Sequence, residues 1–362
     1  MILWIVVGTA LAFDFTNGFH DTANAVATSI STRAMAPRVA VTMAAALNFV
    51  GAFLSIEVAA TIAKGIVDAE FITLPIVFAG LVGAIFWNLL TWYFGLPSSS
   101  SHALIGGMVG ATFAAEGTKA ILGDGIIEKV IVPALVAPIL TFVVAAIAIS
   151  VCYAIVGRQP PGTVSRGFRL GQILSGGLFS LSHGTNDAQK TMGVIALALV
   201  AAGKLDASAD PPTWVIVSAA SAIAAGTYVG GWRIIKTMGS RIIKMDPAQG
   251  FAAQAAGAAV ILSASHAGFP LSTTHVISGG IMGAGAAKRV SAVRWGVAGN
   301  IVVAWVLTLP AAAAVGALVF GIEHIVGEHT AGPIVVSIAL VLSLIAVFVR
   351  RAMNGATVPV EA

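Results

Sequence analysis

Two short stretches of the chain place a carboxylate, amides and a basic group within two helical turns of an otherwise apolar sequence. The first is Gly18-Phe19-His20-Asp21-Thr22-Ala23-Asn24, and the second is Gly184-Thr185-Asn186-Asp187-Ala188-Gln189-Lys190. A carboxylate in the middle of a bilayer costs at least about 2.5 kcal/mol, so it persists where it pairs with another group or binds a proton or cation. The two motifs are therefore candidate sites for a proton or cation.

The two motifs favour different ions. Asp21 and Asn24 lie one turn apart on one face of the predicted helix, with Asn17 one turn before Asp21. Oxygens of this kind at a helix break can ligate Na⁺. In the second motif Lys190 occupies the place of Asn24, and its ammonium beside Asp187 would fill a sodium site. This favours proton coupling; the alternative is a static buried Asp187–Lys190 pair.

Several further side chains belong to the candidate coupling site. His20 is a candidate for handling a proton, because imidazole titrates near neutral pH. Asn186 neighbours the second aspartate. Accessory candidates are Asn17, Gln189, His102 and His275. For the last two, which each follow a run of hydroxyls, an interhelical hydrogen bond is the alternative.

Two hydroxyl-rich motifs follow Gly-x-Pro breaks. They are Gly95-Leu96-Pro97-Ser98-Ser99-Ser100-Ser101-His102 and Gly268-Phe269-Pro270-Leu271-Ser272-Thr273-Thr274-His275. Proline is favoured at a helix start, and the free N–H groups and dipole there attract anions. Two such starts facing each other would hold a tetrahedral oxyanion, unless the hydroxyls only cap their helices. The candidate anion ligands are Ser98, Ser99, Ser100, Ser101, Ser272, Thr273 and Thr274.

The composition indicates a membrane protein. Charged residues make up 9% of the 362 and apolar residues 58%, whereas soluble domains are roughly 25% charged. The net charge of +4 lies in short loops, which excludes a nucleic-acid-binding surface and a soluble enzyme. Apolar stretches of bilayer length predict spans near 2–30, 38–60, 74–94, 129–156, 170–201, 212–235, 250–267, 292–320 and 332–349. The shorter segments 97–115 and 270–286 are predicted to be arms of re-entrant hairpins.

The basic residues orient these spans, because cytoplasmic loops carry an excess of Lys and Arg. They cluster as Arg33 and Arg38; Arg158, Arg166 and Arg169; Arg233, Lys236, Arg241 and Lys244; Lys288, Arg289 and Arg294; and Arg350 with Arg351. With these loops in the cytoplasm the spans alternate without conflict. The chain is thus predicted to be a multi-pass inner-membrane protein with its N-terminus outside and its C-terminus in the cytoplasm.

Both kinds of motif occur twice, in the same order and at similar separation. The first aspartate motif lies on a helix predicted to run inward, and the second on a helix predicted to run outward, which is typical of an alternating-access transporter. The predicted fold is an all-α polytopic membrane protein of two inverted repeats with re-entrant helical hairpins and broken helices. Its parts are a first repeat over 1–156, a short basic cytoplasmic linker over 157–169, a second repeat over 170–320, and a C-terminal membrane helix and tail over 321–362.

The four motifs together resemble those of the inorganic phosphate transporter (Pit) family, over nearly the whole chain. The resemblance implies a secondary phosphate symporter, commonly a homodimer. It assigns Asp21, Asn24 and Asp187 to cation-linked positions and the two hydroxyl runs to the phosphate. Sodium-coupled members carry Gly-x-Asn-Asp-x-x-Asn in both halves, whereas this chain has His20 in the first motif and Gln189-Lys190 in the second.

Both departures resemble the bacterial low-affinity, proton-coupled branch, whose substrate is often a neutral complex of hydrogenphosphate with Mg²⁺ or another divalent ion. We therefore expect proton-driven phosphate import across the lipid bilayer, with no tightly bound cofactor and no nucleic-acid partner. The alternatives are a sodium-coupled symporter, a sulfate permease of the same fold and a passive anion channel. An intramembrane hydrolase is disfavoured, because the Ser, His and Asp residues form two opposed sets rather than one nucleophile with its base.

Overall fold

The computed structural model describes residues 1–327 and 331–353, so the predicted tail after 353 lies outside the described residues. This part of the chain folds into thirteen helices. They are α1 (Ile2–Ser31), α2 (Pro37–Gly51), α3 (Glu57–Lys64), α4 (Leu74–Phe94), α5 (Ser100–Glu116), α6 (Gly123–Val156), α7 (Pro161–Ala201), α8 (Thr213–Val229), α9 (Trp232–Arg241), α10 (Pro247–His266), α11 (Thr273–Lys288), α12 (Trp295–Val326) and α13 (Ala331–Met353).

Length and hydropathy make several of these helices membrane spans. Among the described residues α1, α4, α6 and α12 are each long and apolar enough to cross a bilayer. The pair α8 and α9 is a fifth candidate if it is counted as one broken span, since its two helices meet at 60°. The chain is therefore a multi-pass membrane protein, as the composition predicts.

Two predicted spans are broken in the structure. The stretch 38–60, predicted as one span, ends at Gly51 and resumes as α3 at Glu57. The stretch 212–235 breaks at Gly230, which has a φ of 77° that few other residues tolerate. The apolar pattern of the sequence does not predict either break, because apolar residues continue through both positions.

The predicted linker is also shorter in the structure. Residues 157–169 were predicted to join the repeats, but α7 begins at Pro161, so its first turns occupy most of that range. Proline at a helix start explains this position, since its missing N–H has no partner there in any case. At the other end of the second repeat, α12 continues to Val326, beyond the predicted boundary at 320.

Helices α1–α6 and α7–α12 form two repeats of six helices in the same order. Their opposite orientation is visible in the apolar core, which consists of two clusters separated by a polar layer. Along α1, one cluster ends at Phe13 and the other begins at Ala23. Along α7 the order is reversed. Phe179 belongs to the same cluster as Ala23, and Ala188, further along the helix, belongs to the same cluster as Phe13. The fold is therefore the predicted inverted-repeat architecture.

Each repeat contributes a helical hairpin, α4–α5 and α10–α11, and its last long helix packs on the hairpin of the other repeat. Helix α12 lies on α5, where a Cβ on Gly110 would be 2.0 Å from the Ala313 carbonyl oxygen. Helix α6 lies on α11, where a Cβ on Gly283 would be 2.1 Å from the Phe142 carbonyl oxygen. Glycine permits this approach, as small residues do between membrane helices.

The tips of the two hairpins are held by the short helices of the opposite repeats. The Thr61 hydroxyl of α3 donates to the Gly268 carbonyl at 2.7 Å, and the Thr237 hydroxyl of α9 donates to the Gly95 carbonyl at 2.9 Å. Both glycines have positive φ, which allows the chain to turn from one arm into the next. These bonds fix the starts of α5 and α11 against the polar layer.

Candidate functional site

The first aspartate motif meets the start of α11 inside the bundle. Asp21 is buried, and its Oδ1 lies 2.6 Å from His20 Nδ1, which donates because a carboxylate only accepts. One turn further, Asn24 Nδ2 donates to the hydroxyls of Thr274 at 2.9 Å and Thr273 at 3.2 Å. The predicted coupling residues of the first repeat therefore contact the predicted anion ligands of the second.

The second aspartate motif makes the symmetric contact with the start of α5. Lys190 Nζ donates to Ser101 Oγ at 2.5 Å, to Asp187 Oδ1 at 2.6 Å and to the Leu271 carbonyl at 2.9 Å. Asn186 Nδ2 donates to Asp187 at 2.7 Å and to the same carbonyl at 2.7 Å. Lys190 thus contacts Ser101 as Asn24 contacts the corresponding Thr274, and the ammonium is enclosed by three oxygens.

The two motifs come together at one hydroxyl. Thr273 Oγ1 lies 3.5 Å from Asp21 Oδ2 and 3.5 Å from Asp187 Oδ2. His183 joins the group, with its Nε2 3.3 Å from Asp187 Oδ2. Ligand atoms of Asp21, His183 and Asp187 all lie within 4.8 Å of one another, an arrangement that can hold a cation. His183 was not among the predicted site residues, although its spacing of four residues before Asp187 places it on the same helix face.

The seven predicted anion ligands divide by what their hydroxyls already contact. Ser99 accepts from the His102 N–H at 3.1 Å and Ser272 from the His275 N–H at 3.3 Å, so these two cap α5 and α11. The Ser98 hydroxyl donates to Thr91 Oγ1, which itself lies 3.1 Å from Nε2 of His20. Ser100 Oγ is buried with no hydrogen-bond partner among the described residues. Its hydroxyl therefore has capacity for an added ligand.

The accessory candidates lie around this centre rather than in it. His102 and His275 meet edge to face at 4.8 Å behind the two helix starts, and Trp305 stacks on His275 at 4.0 Å. Gln189 Oε1 accepts from the N–H groups at the start of α3, where Val58 N is 2.8 Å away. The structure thus gives Gln189 a capping role. Asn17 is buried one turn before Asp21.

The electrostatics of the centre are unbalanced. With neutral imidazoles, Asp21 and Asp187 supply two negative charges and Lys190 supplies one positive charge. All three side chains are at most 2% exposed, so water does little to screen them. The helix starts of α5 and α11 add partial positive charge from their N–H groups. An anion in this centre would therefore meet a net negative charge from the side chains as well as the partial positive charge of the two helix starts.

Comparison with known proteins agrees with this geometry. The model of the phosphate transporter family matches residues 17–163 and again residues 157–316, one match for each repeat. The chain belongs to the phosphate transporter family. Each match contains one aspartate motif and one hydroxyl-rich hairpin, so the two family matches coincide with the two inverted repeats.

Relatives of this family member are similar over most of their length. A probable low-affinity inorganic phosphate transporter of Mycobacterium tuberculosis is 58% identical over 329 residues, which cover 91% of this chain and 79% of the relative. One with the same description from Bacillus subtilis is 47% identical over 324 residues, covering 89% and 97%. A solved structure, "The sodium-dependent phosphate transporter", aligns with a TM-score of 0.80 at 25% identity over 90% of this chain and 99% of that one. Family and fold make the protein a transporter and not an enzyme.

Proposed function

We propose that the protein imports inorganic phosphate by proton symport, with the phosphate held between the starts of α5 and α11. The observation that supports this most directly is the meeting of both aspartate motifs at Thr273, at the start of α11, while Lys190 of the second motif bonds to Ser101 at the start of α5. Family membership supports phosphate as the substrate.

Protons are proposed as the coupling ion because the site of the second repeat already holds a cation. The ammonium of Lys190 sits among a carboxylate, a hydroxyl and a carbonyl oxygen, which are the ligands that Na⁺ would take there. In the first repeat, Asp21 shares a 2.6 Å bond with His20, whose imidazole has a second ring nitrogen that can bind a proton. Uptake of a proton by this pair would offset part of the charge of the phosphate.

Labelled-phosphate uptake into proteoliposomes tests this proposal. An inward proton gradient without Na⁺ is expected to drive phosphate above equilibrium, and an inward Na⁺ gradient at equal pH is expected to drive none. Accumulation driven only by Na⁺ would contradict proton coupling. Equilibration without accumulation under both gradients would instead indicate a passive channel, and strong competition by sulfate would contradict the assignment of phosphate.

Loss of the central hydroxyls should weaken phosphate binding. We expect Ser100→Ala combined with Thr273→Ala to remove two donors, each worth about 1.5–3 kcal/mol to a charged ligand, so the apparent affinity should fall by about a hundredfold or more. The concentration dependence of uptake measures this. The matched control is Ser150→Ala, since Ser150 is exposed and bonds only to its own helix. An unchanged affinity in the double variant would place the phosphate elsewhere.

A divalent cation is a candidate for transport together with the phosphate. Asp21, Asp187 and His183 place their ligand atoms within 4.8 Å of one another, and carboxylate oxygens are the ligands that Mg²⁺ prefers. We propose that a complex of hydrogenphosphate with Mg²⁺ can occupy the centre. Uptake of phosphate that is unchanged after chelation of divalent ions would reject this. The placement of the N-terminus outside, the C-terminus in the cytoplasm and assembly as a homodimer stay predictions from the sequence.

A further inference from the structure

One buried carboxylate of α1 takes no part in the centre described above. Asp14 lies two turns before Asp21 and is 0% exposed. Asp21 and Asp187 have a histidine and a lysine at 2.6 Å, whereas neither oxygen of Asp14 has a hydrogen-bond partner in the part of the chain that the structure describes. Burial of an unpaired carboxylate is far more costly than burial of the neutral acid. The surroundings of Asp14 therefore favour its protonated form.

The polar groups next to Asp14 are also unsatisfied. Asn17 of α1 and Thr191 of α7 are its polar side-chain neighbours, and both are 0% exposed. The amide oxygen and nitrogen of Asn17 and the hydroxyl of Thr191 have no hydrogen-bond partner among residues 1–327 and 331–353. Buried polar atoms are rarely left without partners, and a group of them indicates a site that holds something else. A protonated carboxyl could donate to either neighbour after a small rotation.

Asp14 is also connected to the centre. At intervals of three or four residues, Asp14, Asn17, Asp21 and Asn24 form one buried polar stripe along α1. On α4, which packs against α1, Asn88 lies one turn before Thr91, the partner of His20, and its amide atoms are likewise buried without a partner in the described part. Asn17 and Asn88 thus place polar side chains that are unpaired among the described residues on α1 and α4, one turn from Asp21 and from Thr91 respectively.

The charges that act on Asp14 come from α7, where Asp187 opposes a negative charge and Lys190 favours it. Helices α4 and α8 contain no Asp, Glu, Lys, Arg or His. The remaining titratable groups of α1 and of the helices packed against it are, helix by helix, His20 and Asp21 on α1; Arg38 on α2; Tyr93 on α4; His102 and Glu116 on α5; Arg166, Arg169 and His183 on α7; Tyr228 on α8; Arg233, Lys236 and Arg241 on α9; His266 on α10; and His275 and Lys288 on α11. Since Lys190 is bonded to Asp187, its ammonium does not pair with Asp14, and a proton on the carboxyl group would itself remove the buried charge.

We propose that Asp14, with Asn17 and Thr191, is a proton-binding site separate from the phosphate centre, and that its proton travels with the phosphate. This rests on the proposed proton symport. One proton adds to a carboxylate oxygen of Asp14 from one side of the membrane, and the same proton leaves towards the other side in each cycle. Asp14 is then a coupling residue that does not touch the phosphate.

The substitution Asp14→Asn tests whether proton coupling can be lost while phosphate binding is kept. The variant should lose accumulation driven by a proton gradient, while exchange of labelled for unlabelled phosphate at equal pH stays at the wild-type rate. Asp14→Glu, which restores a carboxyl group, should recover accumulation. Asp124→Asn is the matched control, because Asp124 is exposed at the start of α6. These measurements use the full chain in proteoliposomes.

Each outcome bears on a different proposal. Proton-driven accumulation by Asp14→Asn equal to that of the wild type would overturn the assignment of Asp14. Equal loss of exchange and accumulation in the folded variant would overturn it too, because it would show a role in phosphate passage. Failure of the wild type to respond to a proton gradient would instead refute the proposed function. The infrared band of a protonated carboxyl group, which we expect in the wild type and in Asp124→Asn but not in Asp14→Asn, gives a test that does not depend on transport.

Discussion

Asp21→Asn and Asp187→Asn are each expected to abolish accumulation of phosphate above equilibrium. Both carboxylates reach Thr273 at 3.5 Å, so either amide would remove a negative charge from the centre that the accompanying proton or cation must balance. The measurement is labelled-phosphate uptake under a proton gradient, with Asp124→Asn as the exposed control. Near-normal accumulation in both variants would contradict coupling through these residues.

The two substitutions differ in what they leave behind. In Asp21→Asn the partner His20 is an imidazole that can stay neutral, so no unpaired charge is left and the folded state should survive. In Asp187→Asn the ammonium of Lys190 stays buried without its counter-charge, which costs about 3–5 kcal/mol in comparable pairs. The thermal stability of both variants in detergent should therefore be measured beside transport. Asp21→Asn is the cleaner test, because its loss of transport should come without a large loss of stability.

Lys190→Asn is expected to make the transporter sodium-dependent. Removal of the ammonium leaves Asp187 Oδ1, Ser101 Oγ and the Leu271 carbonyl oxygen around an empty position, and Na⁺ can take the place of the ammonium. Without Na⁺ the variant should be destabilised by about 3–5 kcal/mol, since a buried carboxylate has lost its partner. Added Na⁺ should raise its melting temperature and restore phosphate uptake.

The wild-type protein is the control for this substitution, since added Na⁺ should change neither its melting temperature nor its uptake. Lys204→Asn provides a matched change of an exposed lysine. A folded Lys190→Asn variant that stays inactive with Na⁺ and gains no stability from it would show that the ammonium does more than substitute for a sodium ion.

The repetition of the motifs is what allowed a shared location for them to be predicted. A single Asp-x-x-Lys or Ser-Thr-Thr run has ordinary structural explanations, but repetition in opposed halves predicted that Asp21, Asp187 and the two hydroxyl runs would meet, as they do. Ser99 and Ser272 cap α5 and α11, but the sequence alone could not distinguish this role from phosphate binding, because caps and anion sites use the same hydroxyl residues.

Other features depend on contacts that a single sequence does not show. The break before α3 is stabilised by Gln189, which is more than a hundred residues away and binds the N–H groups of Val58 and Ala59. The carboxylate of Asp14 lacks a hydrogen-bond partner among the described residues because its neighbours do not come within bonding distance, and a single sequence does not show such distances. The packing of α6 on α11 and of α12 on α5 involves surfaces of glycine and small residues, whose partners the apolar pattern does not specify.

Helices α6 and α12 each pack on the hairpin of the other repeat, so the order of synthesis determines when each hairpin gains its packing partner. Synthesis proceeds from the N-terminus, so α4 and α5 enter the membrane before the ribosome has translated α12, which contacts them at Gly106 and Gly110. During that interval the hydroxyls at the start of α5 lack Asp187 and Lys190 as neighbours too. A chain released after residue 290 would keep every residue of the centre and still lack the helix that closes its first hairpin. Translation of α12 is thus the step that first supplies the α4–α5 hairpin with its packing partner.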